Sequence, residues 1–189
     1  MNNFKSSYFQ KEHNNHKIEI HYKQIELKKE ELMPYLQADK FKDYCKNGCP
    51  NYAKKWTCPP HCPSFETYAQ NYSKATIYLF YTSPHQFTQA EDKAQEAYDF
   101  IKEELQTYLR KREPSDGKLI GANSCEICKT CKLVSRKECH LPEKKRYNLV
   151  AFGFHVSQIM TDLFQHELQW AKPNQIPDFV SSVGALLQK

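Results

Sequence analysis

The chain has 189 residues, of which 40% are hydrophobic, so it is long enough to fill a single core as one compact domain. Its formal charge of +5 is too small to imply a polyanionic partner by itself. The N-terminus lacks the apolar run of a signal peptide, and the longest apolar stretch, Ile77 to Tyr81, is too short to cross a bilayer. We therefore expect a cytoplasmic protein with no membrane partner.

Hydrophobic periodicity predicts a mixed α/β (α+β) fold, a sandwich of a mixed sheet with helices. Residues 1–16 are polar and are expected to form a flexible segment ahead of a single domain over residues 17–189. Alternation over Lys17–Tyr22 predicts a first strand, and a short helical pattern follows over Lys28–Gln37. The apolar run Ala75–Thr82 predicts a strand at the sheet centre, buried on both faces.

The strongest helical pattern follows that strand. Apolar residues recur at intervals of three and four from Phe87 to Leu109, with Thr88 and Glu91 as an expected capping box. Three further elements are expected: a short strand at Lys118–Gly121, a helix over Val156–Phe164 and a closing strand at Phe179–Leu187. Both groups of cysteines are expected in loops between these elements.

All eight cysteines fall within two stretches, the first cysteine window (Cys45–Cys62) and the second cysteine window (Cys125–Cys139). Buried structural cysteines would not be expected to segregate in this way. In a reducing compartment, closely spaced cysteines indicate metal ligands or redox groups in preference to disulfides.

The second window has the spacing C-x2-C-x2-C-x7-C. Its candidate ligands are Cys125, Cys128, Cys131 and Cys139. Three thiolates within seven residues are typical of an iron–sulfur cluster, and the run is similar to that of ferredoxins, with a longer gap before the last cysteine. Zinc is the main alternative, and His140 could replace one thiolate. A thioredoxin-like dithiol at Cys125 and Cys128 would leave the other two cysteines without a role.

The first window has the spacing C-x3-C-x8-C-x3-C, which supplies four ligands for one metal or cluster. Its candidate ligands are Cys45, Cys49, Cys58 and Cys62. Prolines at positions 50, 59, 60 and 63 restrict the backbone around them. Tyr52 and Trp56 could shield the centre from water or could be ordinary core aromatics. A cluster and zinc both fit this window, and the two windows could share ligands.

Basic residues crowd the second window, at positions 129, 132, 136, 137, 144, 145 and 146. They could compensate the negative charge of a cluster, receive an acidic redox protein partner, or form a solvated loop. No helix-turn-helix or two-Cys, two-His finger accompanies them, so nucleic acid is not an expected partner. The chain also lacks a Walker loop and the G-x-G-x-x-G, G-x-S-x-G and H-E-x-x-H motifs, and no catalytic residue is assigned.

The string Trp56-Thr57-Cys58-Pro59-Pro60-His61-Cys62-Pro63, with Cys45-x3-Cys49-Pro50 before it and the second window after it, resembles a family of cysteine-rich bacterial and archaeal proteins of unknown function. The resemblance implies a small single-domain protein with iron–sulfur binding through the eight cysteines. The chain departs from it at His155, where the family is expected to have Asp.

These observations together predict an iron–sulfur protein with one or two [4Fe-4S] clusters, acting in electron transfer or as an accessory to a redox or methyl-transfer enzyme. Two alternatives stay open at this point. One is a zinc-stabilised binding module, and the other is a non-redox cluster enzyme with an open iron site.

Overall fold

A computed structural model describes residues 4–88, 90, 92–172 and 175–189 of the chain. The strands are β1 (Lys5–His13), β2 (His16–Lys28), β3 (Lys74–Thr82), β4 (Lys118–Ile120) and β5 (Val180–Gln188). The α-helices are α1 (Ala38–Gly48), α2 (Phe65–Tyr68), α3 (Lys93–Arg112), α4 (Leu149–Phe152) and α5 (Val156–Phe164). Three 3-10 helices span Lys29–Tyr35, Pro84–Gln86 and Lys132–Ser135. The α+β class expected from the sequence is confirmed.

The five strands form one sheet in the order β1-β2-β3-β5-β4. Each neighbouring pair is antiparallel, whereas the sequence analysis expected a mixed sheet. The connection β3-α3-β4 joins two strands that run parallel, but β5 lies between them and pairs antiparallel with both, so no neighbouring strands in the sheet are parallel among the described residues. None of the described helices combines the length and apolar character that a bilayer-spanning helix requires.

Strand β3 lies at the sheet centre and is buried on both faces, as its apolar run predicts. Helix α3 covers one face, where its buried side chains pack against Tyr78 and Phe80. The 3-10 helix Lys29–Tyr35 and helices α2, α4 and α5 cover the other face, against Ile77 and Leu79. Burial of each large side chain contributes roughly 1.5–3 kcal/mol, so these two layers hold the sheet together.

The N-terminal segment differs from the expected flexible stretch over residues 1–16, because Lys5–His13 forms strand β1. Asn14 and Asn15 join it to β2, with φ values of 48° and 62° that asparagine tolerates and that two-residue hairpin turns need. Strand β1 is an exposed edge strand held mainly by backbone pairing. Its sequence therefore carries no hydrophobic alternation that could reveal it.

Helix α3 begins later than its apolar pattern predicts. The Asp92 carboxylate accepts the backbone N–H of Gln95 at 3.0 Å and caps the helix, which starts at Lys93. Glu91 of the expected capping box lies outside the described residues. Phe87, expected in the helix, instead follows the 3-10 turn Pro84–Gln86 and packs into the core beneath α3.

Helix α5 has the bounds that its periodicity predicts, and His155 caps it. The Nδ1 atom of His155 accepts the backbone N–H of Gln158 at 3.2 Å and lies 3.0 Å from the Ser157 hydroxyl. An aspartate at this position would cap the helix in the same way, since Asp is a preferred N-cap residue. His155, in place of the Asp expected from the family, therefore still caps the helix.

Candidate metal centre

Each cysteine pair of the first window is closed by one backbone hydrogen bond between residues four apart. The backbone N–H of Cys49 donates to the Cys45 carbonyl, and that of Cys62 donates to the Cys58 carbonyl, both at 3.1 Å. Cys45 and Cys49 lie at the end of α1, where residues four apart project from the same face. Residues 58–62 form a turn outside any helix, and its two thiols have different surroundings, because Cys58 lines the cavity beside this window and Cys62 packs against the core.

The expectation that the first window lies wholly in a loop is corrected at Cys45, which sits in the last turn of α1. This helix buries no residue, so the sequence has no apolar stripe to indicate it. Phe41 of α1 packs against Tyr44 and against His155, with ring centroids 5.7 and 5.4 Å away. These contacts hold the helix that presents Cys45 against the start of α5.

The first window is set into the protein core. Cys58 is only 6% exposed, and Cys62 packs against the core formed on the α5 side of the sheet. Burial, followed by the nearby Cys49, raises the pKa of both Cys45 and Cys58, the latter to about 11. Burial, followed by Cys58 and Cys45, raises the pKa of Cys62 to about 12. These mutual effects make the four thiols one neighbouring set.

The second window is a loop excursion between β4 and α4. Its ends are held together by a parallel bridge between Gly121 and Asn148, and the Gly121 N–H donates to the Tyr147 carbonyl at 2.7 Å. All four cysteines of this window line one cavity of about 290 Å³. His140 also lines it, with its Nε2 atom 4.0 Å from the Cys128 sulfur.

The two windows contact each other directly. The Thr57 hydroxyl, in the first window, accepts the backbone N–H of Cys125 at 3.1 Å and is almost fully buried. The Trp56 indole N–H donates to the Lys137 carbonyl at 3.1 Å, and both Trp56 and Thr57 line the cavity of the second window. Trp56 therefore lies at the second window, although it belongs to the first in sequence.

Tyr147 is a buried phenol next to the bridge that closes the second window. Burial raises its pKa, Lys145 opposes that rise, and the charges of Cys62 and Cys139 raise it further. The contacts of Thr57 and Trp56 with the second window place the two candidate centres side by side.

A family model described as "Predicted metal-binding protein (DUF2284)" matches residues 34–188, which include both cysteine windows. The chain belongs to this family. The resemblance found in the sequence is thereby confirmed. Metal binding is the property that the description of this family predicts. Neither a curated protein nor a solved structure matches the chain.

The donor set of this DUF2284 member fits a thiolate-bound metal. All eight thiols are free, and each window supplies four soft sulfur donors, the number that zinc or a cubane cluster takes. Among the described residues, no three His, Cys, Asp or Glu side chains are already arranged as a metal site. Protonated thiols have no reason to converge, since sulfur becomes a ligand only on losing its proton as the metal binds.

A second and larger cavity, of about 630 Å³, adjoins the first window. Cys45, Cys49 and Cys58 contribute to its wall together with Tyr52, and the exposed Trp170 also lines it. Tyr52, singled out from the sequence as a possible shield, thus lines the space beside the first window.

Several residues near the centres were missed by sequence reasoning. Lys55 donates to the Ser124 hydroxyl at 2.9 Å, which adds to the Thr57 contact between the windows. Arg110 of α3 lies near Cys125, and burial followed by the neighbouring Arg146 lowers the pKa of its guanidinium. Apart from its place at the basic end of α3, Arg110 has no sequence signal that links it to a cysteine.

Proposed function

We propose that this DUF2284 protein is a cytoplasmic iron–sulfur protein that holds one [4Fe-4S] cluster on each cysteine window. It acts in electron transfer, either directly or as an accessory to a redox or methyl-transfer enzyme. The single observation that carries the proposal is the arrangement of eight free thiols as two adjacent sets of four, linked by the hydrogen bond from Cys125 to Thr57.

Ligand spacing favours iron over zinc at the second window. Cys125, Cys128 and Cys131 lie three residues apart, and such a run can reach three irons of one cubane. Structural zinc more often takes two separated pairs, which is the spacing of the first window. Zinc at the first window is therefore the closer competitor.

The closeness of the two centres supports a role in electron transfer. Two separate structural zinc sites would gain little from being adjacent, whereas two clusters on windows that are joined by the hydrogen bond from Cys125 to Thr57 could exchange an electron over a short path. Positive side chains near the second window, including Arg110, would offset the negative charge that four thiolates bring.

The test is the metal content of protein purified under anaerobic conditions. We expect brown protein with iron and acid-labile sulfide in equal amounts, whose visible absorption is bleached by dithionite. The matched control is Cys128→Ser/Cys131→Ser, which should retain only the iron of the first window. Colourless protein with stoichiometric zinc and no sulfide would replace the proposal with a zinc-stabilised binding module.

The cavity beside the first window favours a second candidate function, a non-redox cluster enzyme with an open iron. Cys62 faces the core and does not contribute to the cavity wall, while Cys45, Cys49 and Cys58 do. A cluster bound by these three thiolates would present its fourth iron near this space. Cyanide added to the reduced, loaded protein should then change the EPR spectrum of the first centre, and an unchanged spectrum would remove this candidate.

A further inference from the structure

The second cysteine window combines two exposed and two half-buried lysines with a cavity that its thiols line. We infer that this face, the lysine face (Lys55, Lys129, Lys132 and Lys145), is the docking surface for an acidic electron-transfer protein. The inference rests on the proposed function and adds the kind of partner and the centre at which electrons are exchanged.

Four lysines surround the thiols of the second window. All four residues of the lysine face line the 290 Å³ cavity that the cysteines line, and Glu126 is its one carboxylate among the described residues. Clustered charges of one sign create a local potential that concentrates partners of the opposite sign. The surface around the second window is therefore suited to an acidic partner.

These lysines are not neutralised within the protein. In the part of the chain that the structure describes, no ion pair involves any residue of the lysine face, and Lys55 donates to the uncharged Ser124 hydroxyl. Lys129 and Lys132 are exposed. Long exposed side chains without an internal partner remain available to carboxylates of another protein.

An apolar contact area accompanies the charges. Ile127 is 40% exposed and Val134 is 60% exposed, and both lie in the same loop as Lys129 and Lys132. Protein interfaces commonly have an apolar centre and a polar, charged rim. The two exposed aliphatic side chains supply such a centre beside the lysine face.

The first window offers no comparable surface. Its helix α1 has exposed lysines interleaved with Asp39 and Asp43, so the two signs are mixed. Cys58 is buried, and Cys62 packs against the core. The second window is therefore the side of the pair of centres where positive charge is clustered.

The electron balance of the exchange is simple. A reduced acidic one-electron carrier loses one electron, and the centre at the second window gains it. No bond is made or broken, and no proton or group is transferred. The lysine face holds the carrier near the thiols while the electron moves.

The test measures the affinity of the metal-loaded protein for a small acidic ferredoxin, by titration calorimetry at low ionic strength. The test variant is Lys129→Glu/Lys132→Glu. The control is Lys42→Glu/Lys46→Glu on α1, where both lysines are exposed and lie beside the first window. Each pair changes the formal charge of the chain from +5 to +1, so any difference between them is local.

We expect the test pair to weaken binding at least tenfold (about 1.4 kcal/mol) and the control pair to change it less than about twofold. Added salt should weaken binding of the wild type more than binding of the test pair, because screening acts on the charges already removed. Lys129→Gln/Lys132→Gln should fall between wild type and the test pair. Equal losses in the test and control pairs would overturn the inference.

Loading is verified first, so that failure of the docking inference is distinct from failure of the proposed function. Absence of iron and sulfide in wild type contradicts the cluster itself. If both are present at wild-type levels in the test pair but ferredoxin binding is unchanged, only the docking inference fails. Tight binding of a single-stranded DNA oligonucleotide that the test pair abolishes, without binding of ferredoxin, would overturn it in favour of nucleic acid.

Discussion

The two cysteine windows contain the same number of thiols in very different surroundings. The first combines the last turn of α1 with a buried non-helical turn, and its Cys58 and Cys62 have pKa values raised mainly by burial. The second is a loop closed by the bridge between Gly121 and Asn148, with lysines around its cavity. Two windows with four cysteines each can therefore have different roles.

We expect the two centres to have different roles. A centre set into the core stabilises the fold, because its ligands connect α1 to the segment ahead of α2. A centre on a loop outside the core affects the fold less and is easier for a partner to approach. The contact between Thr57 and Cys125 joins the two.

The largest expected difference is in stability. Cys62→Ser should lower the free energy of unfolding of the loaded protein by about 3–5 kcal/mol, because it removes a metal ligand and places a hydroxyl against the core. Cys128→Ser, in the second window, should lower it by roughly 1 kcal/mol or less. Urea unfolding followed by circular dichroism measures both. Equal losses of stability in the two variants would contradict the expected difference between the windows.

Two aromatic residues of the first window should protect different centres. Trp56→Ala should speed bleaching of the second centre by air several-fold, because the indole lines that cavity and bonds to the Lys137 carbonyl. Tyr52→Ala should instead affect the first centre, whose cavity it lines. EPR of the two centres during exposure to air distinguishes them, and slower loss at the first centre in Trp56→Ala would be the contrary result.

Acid should destabilise the fold through His166 independently of either window. Burial, followed by Lys23, lowers the pKa of His166 from 6.5 to about 4, and the Ser181 hydroxyl lies 2.8 Å from its Nε2 atom. Between these values the unfolded chain binds a proton that the folded chain does not, so stability falls as the pH drops from 6.5 towards 4. We expect a loss of about 2 kcal/mol in metal-free protein.

The variant His166→Gln should remove most of that acid dependence, since glutamine does not titrate. Urea unfolding of metal-free wild type and variant between pH 4 and pH 7 measures it. The iron content of both windows should be the same in the loaded variant as in wild type. An unchanged pH dependence in the variant would assign the acid sensitivity to other groups.

The smallest expected effect is at the link between the windows. Thr57→Val removes the hydroxyl that accepts the Cys125 N–H and should cost about 1 kcal/mol, while Thr57→Ser retains the acceptor. Hydrogen exchange at the Cys125 amide should be faster in Thr57→Val and close to wild type in Thr57→Ser. Unaltered protection in Thr57→Val would mean that another contact holds the windows together.

Burial explains which elements the sequence could reveal. The patterns for β3, β4, α5 and β5 located these elements because their side chains enter the two cores. Strand β1 and helix α1 bury almost nothing, so neither has a hydrophobic period to detect. Asn14 and Asn15 were the available turn signal for β1, since Asn tolerates the positive φ that they adopt.

The cysteines themselves could be grouped from spacing, but their surroundings could not. The Thr57 acceptor and the Cys125 donor are 68 residues apart, and the placement of Trp56 over the other window depends on how the loops pack. Cysteine spacing gives the order of ligands along the chain and does not predict contacts between residues that are far apart in sequence. The identity of the metal stays a prediction from ligand type and spacing.

The most direct test of the central claim is an iron and sulfide count in three proteins purified under anaerobic conditions. These are the wild type, the second-window variant Cys128→Ser/Cys131→Ser and the first-window variant Cys45→Ser/Cys49→Ser. Two independent [4Fe-4S] centres predict about eight iron atoms per wild-type chain and about four in each variant, with equal sulfide. About four in wild type with none in either variant would contradict the account, because both windows would then serve one shared site.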